Sequence, residues 1–254
     1  MSAASEYVQV LPQDLQTVLC IMGGPCVVSQ GRRCAVPEGS KRVLVFMALH
    51  GGRVERRFLA GTLWPDGDDN RASGNLRSSM WRLRCAGIDI LESDKTVVWL
   101  RSGTQIDIRS LSEWAGRVID GTATESDLQI LGWDREATDL LPGWYDDWVI
   151  FERERMRQRL LHALQSLSAR LTTLGRYAEA VEAALNAVDI EPLRESAHRV
   201  LIEAHLAEGN VGEARKAFRE YASRVRAELG VSPSTAMCAL LGEDRLVGAF
   251  DRSG

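Results

Sequence analysis

Residues 70–86 read NRASGNLRSSMWRLRCA, and the spacing of their apolar side chains predicts one amphipathic helix. The apolar residues fall on a single arc of the helical wheel, typical of a face that packs on other helices: Ala72, Leu76, Met80 and Leu83. An adjacent stripe is polar throughout: Arg71, Asn75, Ser78 and Arg82. Arg77 and Arg84 flank the apolar arc on its other side. The stretch therefore predicts a helix that buries one face and surrounds it with arginines.

The patterns on either side of this helix predict strands, two further helices and a hairpin. In chain order they are strands 19–28 and 34–37, helices 41–50 and 56–63, and a hairpin with arms 88–91 and 96–101 around 92–95. Ser40 is expected to cap the first of these helices, and Gly51 to end it. Strands, three helices and a hairpin are the outline of a winged helix, in which the hairpin is the wing.

The second half of the chain predicts helices almost throughout, so the fold class is mainly α with a small β component. The expected helices are 110–119, 124–132, 147–173, 177–189, 194–208, 211–229 and 233–247. Residues 174–180 are echoed by 208–214, with Gly175 and Gly209, and Glu179 and Glu213, each 34 positions apart. That period, with small residues between the helices, is the tetratricopeptide signature.

The charge is divided unevenly along a chain whose formal net charge is −4. Residues 32–84 contain 11 Lys and Arg against 5 Asp and Glu, whereas the part after residue 104 is acidic, with a net charge of −7. A basic module joined to an acidic one indicates a polyanionic partner for the first module only. We find no signal peptide and no apolar run long enough to span a membrane, and the five scattered Cys suit reduced thiols. The expected location is the cytoplasm.

The polar stripe on helix 70–86 has two interpretations. A polar face that carries arginines is commonly just the solvated side of a helix. However, no acidic residue lies between Arg71 and Arg84, and Arg and Asn are the side chains that bind guanine and adenine edges with two hydrogen bonds. The stripe also lies on the helix that a helix–turn–helix order inserts into the major groove. These features favour recognition of nucleic acid.

Two stretches carry a resemblance to a known family. Residues 17–104 resemble the winged-helix DNA-binding domain of OmpR-type response regulators, and Met80-Trp81-Arg82-Leu83-Arg84 stands where that family has its R-L-R motif. Residues 105–250 resemble the tetratricopeptide-like bacterial transcriptional activation domain, notably in LLPGWYDDWV at 140–149 and ERER at 152–155. The two domains in this order resemble the SARP family of actinobacterial regulators. Residues 1–16 are then an N-terminal segment in which disorder is possible.

The resemblance implies roles for particular residues. Base edges are approached by four side chains: Asn75, Arg77, Ser78 and Arg82. Phosphates are held by three others: Arg71, Arg84 and Lys95. Trp81 departs from the polar residue common at its position, so it either stacks on the wing or lies on a sugar. The short, half-acidic wing at 92–95 argues against strong contact with the minor groove.

The implied function is that of a sequence-specific regulator, an activator that recruits RNA polymerase holoenzyme to a promoter with direct repeats. Its partners are double-stranded DNA, the polymerase and a second copy of the chain on DNA, with no membrane. The alternative is a tetratricopeptide-type adaptor whose winged helix binds protein. We find no phosphate-binding or nucleophile motif, which argues against an enzyme, and we expect no cofactor.

Local acidic and aromatic clusters have structural interpretations. Residues 66–70, DGDDN, hint at a calcium loop, but its twelfth position is Arg77, so they fit better as the N-terminal cap of helix 70–86. The four His have no metal-binding spacing. The aromatic residues Trp133, Trp144 and Trp148 are expected to wedge the first helices of the second half together. The run Glu152–Arg155 is expected to be a solvated helix face.

Overall fold

The computed structural model describes residues 17–129 and 139–242. Its contacts divide the chain into two units: residues up to 111 together with 132–155, and residues 112–131 together with those from 156 onward. The fold is mainly α with small sheets, as predicted, and has a winged first unit and a helical second unit. The sequence-based limits of the domains, 17–104 and 105–250, stay predictions. Trp133 and residues 1–16 lie outside the described residues.

The first unit opens with a small sheet of β1 (Val18–Cys20), β2 (Cys26–Ser29) and β3 (Arg32–Ala35). The expected single strand over 19–28 is wrong, because Gly23 and Gly24 turn the chain with positive φ and separate β1 from β2. Gln30 and Gly31 also have positive φ, and such a pair forms the tight turn that suits a two-residue hairpin between β2 and β3. The sheet is completed by β7 (Gln105–Ile106), which pairs in parallel with β1.

Three helices follow the first sheet: α1 (Glu38–His50), α2 (Arg56–Leu63) and α3 (Asp69–Cys85). The predicted limits of α2 are confirmed, and Gly51, with φ +64°, ends α1 as expected. The expected cap at Ser40 is wrong. Helix α1 begins at Glu38, two residues before Ser40, so Ser40 lies inside the helix and is fully buried.

The wing is a three-stranded sheet rather than a lone hairpin. The hairpin consists of β5 (Leu91–Ser93) and β6 (Val97–Leu100), and β4 (Arg53–Glu55) pairs with the outer side of β6. Glu92 and Ser93, which we assigned to the turn, belong to β5, so the turn itself is 94–96.

Residues 139–149 belong to the first unit, and this changes two expectations. Leu140 and Leu141 are buried, and the ring of Trp148 meets that of Phe46 in α1 edge to face at 5.3 Å. Trp148 therefore packs on the winged unit and does not wedge the helices of the second unit together. Arg153 is not solvated either, because its guanidinium donates hydrogen bonds to three backbone carbonyls: those of Leu140, Leu141 and Trp144.

The remaining helices are α4 (Asp107–Ile119), α5 (Asp147–Thr173), α6 (Tyr177–Ile190), α7 (Glu195–Glu208), α8 (Val211–Leu229) and α9 (Thr235–Ala239). The predicted limits of α5 and α8 are confirmed. Where we expected helix 124–132, the described part is a short 3₁₀ helix, Glu125–Leu128. Gly175 and Gly209, 34 positions apart, both have positive φ at a bend between two helices. Alanines pack where the paired helices approach, as in Ala180, Ala183, Ala214 and Ala217.

Candidate nucleic-acid interface

Helix α3 carries the candidate interface, and its ends are fixed by local chemistry. The carboxylate of Asp68 accepts a 2.7 Å hydrogen bond from the backbone N–H of Arg71, which caps the first turn. Asp69 adds negative charge where the helix dipole is positive. The helix ends before Gly87, whose φ is +75°. The predicted capping role of residues 66–70 therefore has its acceptor in Asp68.

The apolar arc of α3 faces the core as predicted. Its four members are at most 5% exposed: Ala72, Leu76, Met80 and Leu83. Ser79 is also fully buried on this side. Its hydroxyl donates to the carbonyl of Gly39 at 2.8 Å, and the hydroxyl of Ser40 donates to the carbonyl of Ser79 at 2.8 Å. Because both donor hydroxyls belong to fully buried serines, these bonds fix the rotation of α3 about its own axis relative to α1.

The side of α3 opposite the core follows from the same geometry. At about 100° per residue, Gly74, Ser78 and Trp81 point away from the buried arc. Trp81 is 66% exposed. Two pairs of arginines flank this line, Arg71 with Arg82 on one side and Arg77 with Arg84 on the other. We call these seven residues the recognition face.

The predicted base-reading side chains differ in solvent exposure and in their contacts with the rest of the protein. Arg77 and Ser78 are exposed, whereas Asn75 is half-buried at the border of the core. Arg82 is exposed, yet its guanidinium reaches back to Ser79 Oγ at 3.2 Å and to the carbonyl of Gly39 at 3.5 Å. A Cβ at Gly39 would lie 3.0 Å from Arg82 Nη2, so the glycine makes room for this contact.

The three predicted phosphate-binding side chains lie on two elements. Arg71 and Arg84 are on α3 and Lys95 is in the turn of the wing, and all three are exposed. Within the described part of the chain, neither Arg71 nor Arg84 forms an ion pair. Their charge is therefore not neutralised by a neighbouring carboxylate, and the helix presents a cationic surface.

The wing turn is built around Asp94, next to Lys95. One carboxylate oxygen of Asp94 accepts hydrogen bonds from the backbone N–H groups of Thr96 and Val97, each at 2.8 Å, and these bonds lower the pKa of Asp94. The other oxygen lies 3.1 Å from Arg53. The acid therefore shapes the turn and keeps its negative charge beside Lys95.

Sequence reasoning missed three parts of this site. It set Trp81 apart as an exception, although the wheel already places the indole opposite the apolar arc. It gave no role to Gly74, which lies on the same line two turns earlier. It also missed the Ser40–Ser79 contact, for which a single sequence has no signal because the two residues are 39 positions apart.

The described residues contain no group of three His, Cys, Asp or Glu side chains arranged to hold a metal ion. Among the described helices, none has the length and apolar content needed to cross a membrane.

Comparison with known proteins identifies the domain family of the second half of the chain. Residues 109–243 match the model of the bacterial transcriptional activator domain. A solved structure of Mycobacterium tuberculosis EmbR, in complex with a low-affinity phosphopeptide, is similar in fold, with a TM-score of 0.65 and 18% identity. The similarity covers 89% of this chain and 64% of the EmbR chain. No curated protein matches the sequence.

The family match confirms the resemblance that residues 140–149 and 152–155 indicated. The fold shared with EmbR adds the winged domain in front of the matched segment. The domain that matches is one of transcriptional regulators rather than of enzymes. The chain belongs to the bacterial transcriptional activator domain family, in the SARP-type order of a winged domain followed by that domain.

Proposed function

We propose that this protein is a cytoplasmic transcriptional activator that binds specific DNA sequences through the recognition face. The observation that carries the proposal is the charge on this face. Four exposed arginines surround its centre, and the helix has no carboxylate from Arg71 to Arg84. A helix of this kind fits the major groove, whose width of about 12 Å admits one α-helix.

The positions of the exposed side chains indicate which of them contact bases and which contact phosphates. Arg77, Ser78 and Arg82 offer hydrogen bonds to base edges, and Asn75 is placed to contribute from the border of the face. To reach a base, Arg82 has to leave Ser79 Oγ and the Gly39 carbonyl, and these contacts are long enough to give up at small cost. Arg71, Arg84 and Lys95 supply the phosphate contacts that set the register on the duplex.

The second unit supplies activation in this proposal. Its paired helices form the kind of repeat surface that binds protein segments, and its acidic charge keeps it from competing for DNA. We propose RNA polymerase as its partner and a promoter with direct repeats as the place of binding, where two copies of the chain lie side by side.

The proposal is tested by selecting a site from random DNA with the purified full chain and measuring its affinity at several salt concentrations. We expect the affinity to fall steeply with salt, with a log–log slope of about −0.9 for each phosphate contact. Arg82→Ala is expected to lose about 1–3 kcal/mol on the selected site and little on random DNA. Arg84→Ala should weaken both and reduce the slope by about one.

Arg155→Ala is a matched control, because Arg155 is 77% exposed and lies on α5 rather than on α3. It should leave both affinities unchanged. Equal losses on the two DNAs for Arg82→Ala would make Arg82 a phosphate contact. A full chain that binds no DNA at low salt would reject the proposal and favour the adaptor alternative, in which the winged unit binds protein.

A further inference from the structure

Trp81 is the largest side chain on the recognition face, and most of its surface is not packed against the rest of the protein. Trp81 is 66% exposed. The nearest core-facing residues before and after it in the chain are Met80 and Leu83, which are at most 5% exposed. Among the described residues, no other aromatic ring stacks on the indole. Of the two alternatives for Trp81, stacking on the wing has no aromatic partner among the described residues, since the ring of the wing's Trp99 is covered by Arg53.

The position of Trp81 indicates what it meets. The indole lies on the centre line of the recognition face, with Arg77 and Arg84 on one side and Arg82 on the other. The centre line of a helix in the groove faces the floor, whereas the flanks lie nearer the walls of phosphates and sugars, from which long arginine side chains still reach base edges. The apolar group on the floor of the major groove is the C5 methyl group of thymine.

Gly74 supports the same placement. It lies seven residues before Trp81 on the centre line, about 10.5 Å away along the helix axis. Its φ is not positive, and a Cβ there would meet only the guanidinium of Arg77, at 3.9 Å, so the fold does not require glycine. A helix interior without a side chain at this point lets a duplex approach the backbone closely. The indole is then the one bulky group that projects from the centre line into the groove.

From these observations we propose that Trp81 is a specificity-determining residue that recognises the thymine C5 methyl group in the major groove. The inference rests on the proposed function and makes it sharper, because it names an apolar contact beside the hydrogen bonds of the arginines. It also assigns a role to the residue that departs from the polar one implied by the winged-helix resemblance.

The experiment uses the full chain and a DNA site selected from a random pool. Each thymine of the site is replaced in turn by deoxyuridine, which removes the methyl group and keeps the hydrogen-bonding edge. For the unchanged protein, we expect one or two positions at which the replacement lowers affinity about five- to tenfold, near the lower end of the cost of a base-pair mismatch. Trp81→Ala should lose a similar factor on the thymine site and become insensitive to deoxyuridine at those positions.

Two further variants make the result specific. Trp81→Phe keeps an apolar ring and should retain part of the sensitivity to deoxyuridine. Arg84→Ala should bind more weakly but remain as sensitive to deoxyuridine as the unchanged protein. Because Trp81 is exposed, Trp81→Ala should unfold at an unchanged temperature, and this is checked on the same preparation.

The outcomes separate the inference from the function on which it rests. If Trp81→Ala loses affinity but no deoxyuridine position affects the unchanged protein, the indole lies on a sugar and the inference is wrong. If Trp81→Ala binds the site as tightly as the unchanged protein, the inference is wrong too. In both cases specific DNA binding itself stands. A chain that selects no DNA site overturns the proposed function and this inference together.

Discussion

Ser40 and Ser79 hold α3 to α1, the first helix of the winged unit, through a pair of hydrogen bonds. The hydroxyl of Ser40 donates to the carbonyl of Ser79, and the hydroxyl of Ser79 donates to the carbonyl of Gly39, both at 2.8 Å. Both serines are fully buried. Since apolar packing alone allows a helix to rotate slightly, these directional bonds set which residues of α3 point outward.

Replacing Ser79 by Ala is expected to destabilise the winged unit. The change removes the donor to Gly39 and the acceptor for Arg82, and it leaves the partly buried carbonyl of Gly39 with one partner fewer. We expect the free energy of unfolding to fall by about 1–3 kcal/mol, measured by urea denaturation of the full chain. The neighbouring Ser78 is exposed, so Ser78→Ala should change stability by less than about 0.5 kcal/mol. Equal effects of the two variants would show that the buried contact contributes little.

Replacing Gly74 by Ala is expected to separate stability from binding. Alanine is favoured over glycine inside a helix by about 1 kcal/mol, and the added methyl group has space. The melting temperature should therefore rise while the affinity for the selected DNA site falls. Gly212→Ala on α8 is a control, because a Cβ there meets nothing within 4 Å and the residue lies far along the chain from the recognition face. If Gly74→Ala binds DNA as tightly as the unchanged protein, the duplex does not approach the helix at this point.

The parts of the fold that sequence reasoning predicted well are set by local chemistry. Helices α2, α5 and α8 have an apolar face of regular period and are flanked by Gly or Pro, and both signals lie in the helix or within a few residues of its ends. The omission of strand β4 has a distant cause. Strand β4 has three residues, of which only Val54 is buried, and it exists because it pairs with β6 some 45 residues later.

The candidate site divides in the same way. The apolar arc of α3 follows from the period of 3.6 residues, so its four members could be predicted. The outward line follows from the same period, but hydrogen-bonding groups alone single out its polar residues and not the apolar Trp81. Two other contacts depend on tertiary structure and are not predicted by any local pattern: that of Arg82 with Gly39, and the packing of Trp148 on Phe46.

Asp107 should make stability depend on pH in an unusual direction. Its buried carboxylate accepts hydrogen bonds from the N–H groups of Ile21, Met22 and Ile108, but burial dominates and raises its pKa from 3.8 to about 6. Because the folded pKa lies above the unfolded value, the folded state binds more protons between them. The contribution of Asp107 is therefore fully present below pH 4 and is lost as the pH rises to about 6, a change of ~3 kcal/mol.

The measurement is the free energy of unfolding between pH 4 and pH 7 for the unchanged protein and for Asp107→Asn, which cannot ionise. The variant should lack the decrease over this range, whatever its absolute stability. Asp127 does not interfere, because hydrogen bonds from Arg117 hold its pKa well below the usual range, so its effect on stability appears only at lower pH. Parallel curves for the two proteins would show that Asp107 does not titrate in this range.

Activation is expected to depend on exposed carboxylates of the second unit. Glu203 on α7 and Glu213 on α8 are exposed, and their ion pairs with Arg199 and Lys216 are long, at 4.0 and 3.8 Å. Such pairs contribute little to stability. Glu179, which Glu213 repeats after 34 residues, is held by Arg176 at 2.7 Å.

In the second repeat, Asn210 stands where the first has Arg176, so Glu213 lacks the structural role of its counterpart. We therefore expect Glu203→Lys with Glu213→Lys to fold, to bind the selected DNA site normally, and to reduce transcription with purified polymerase several-fold. The same charge change on α6, Glu182→Lys with Asp189→Lys, is the matched control, because both residues are exposed. Equal reductions would point to bulk charge rather than to a contact on α7 and α8. Normal activation by the folded double variant would show that this surface does not contact polymerase. A loss of DNA binding would instead mean that the helical unit acts through dimerisation on the promoter, because neither residue lies on the recognition face.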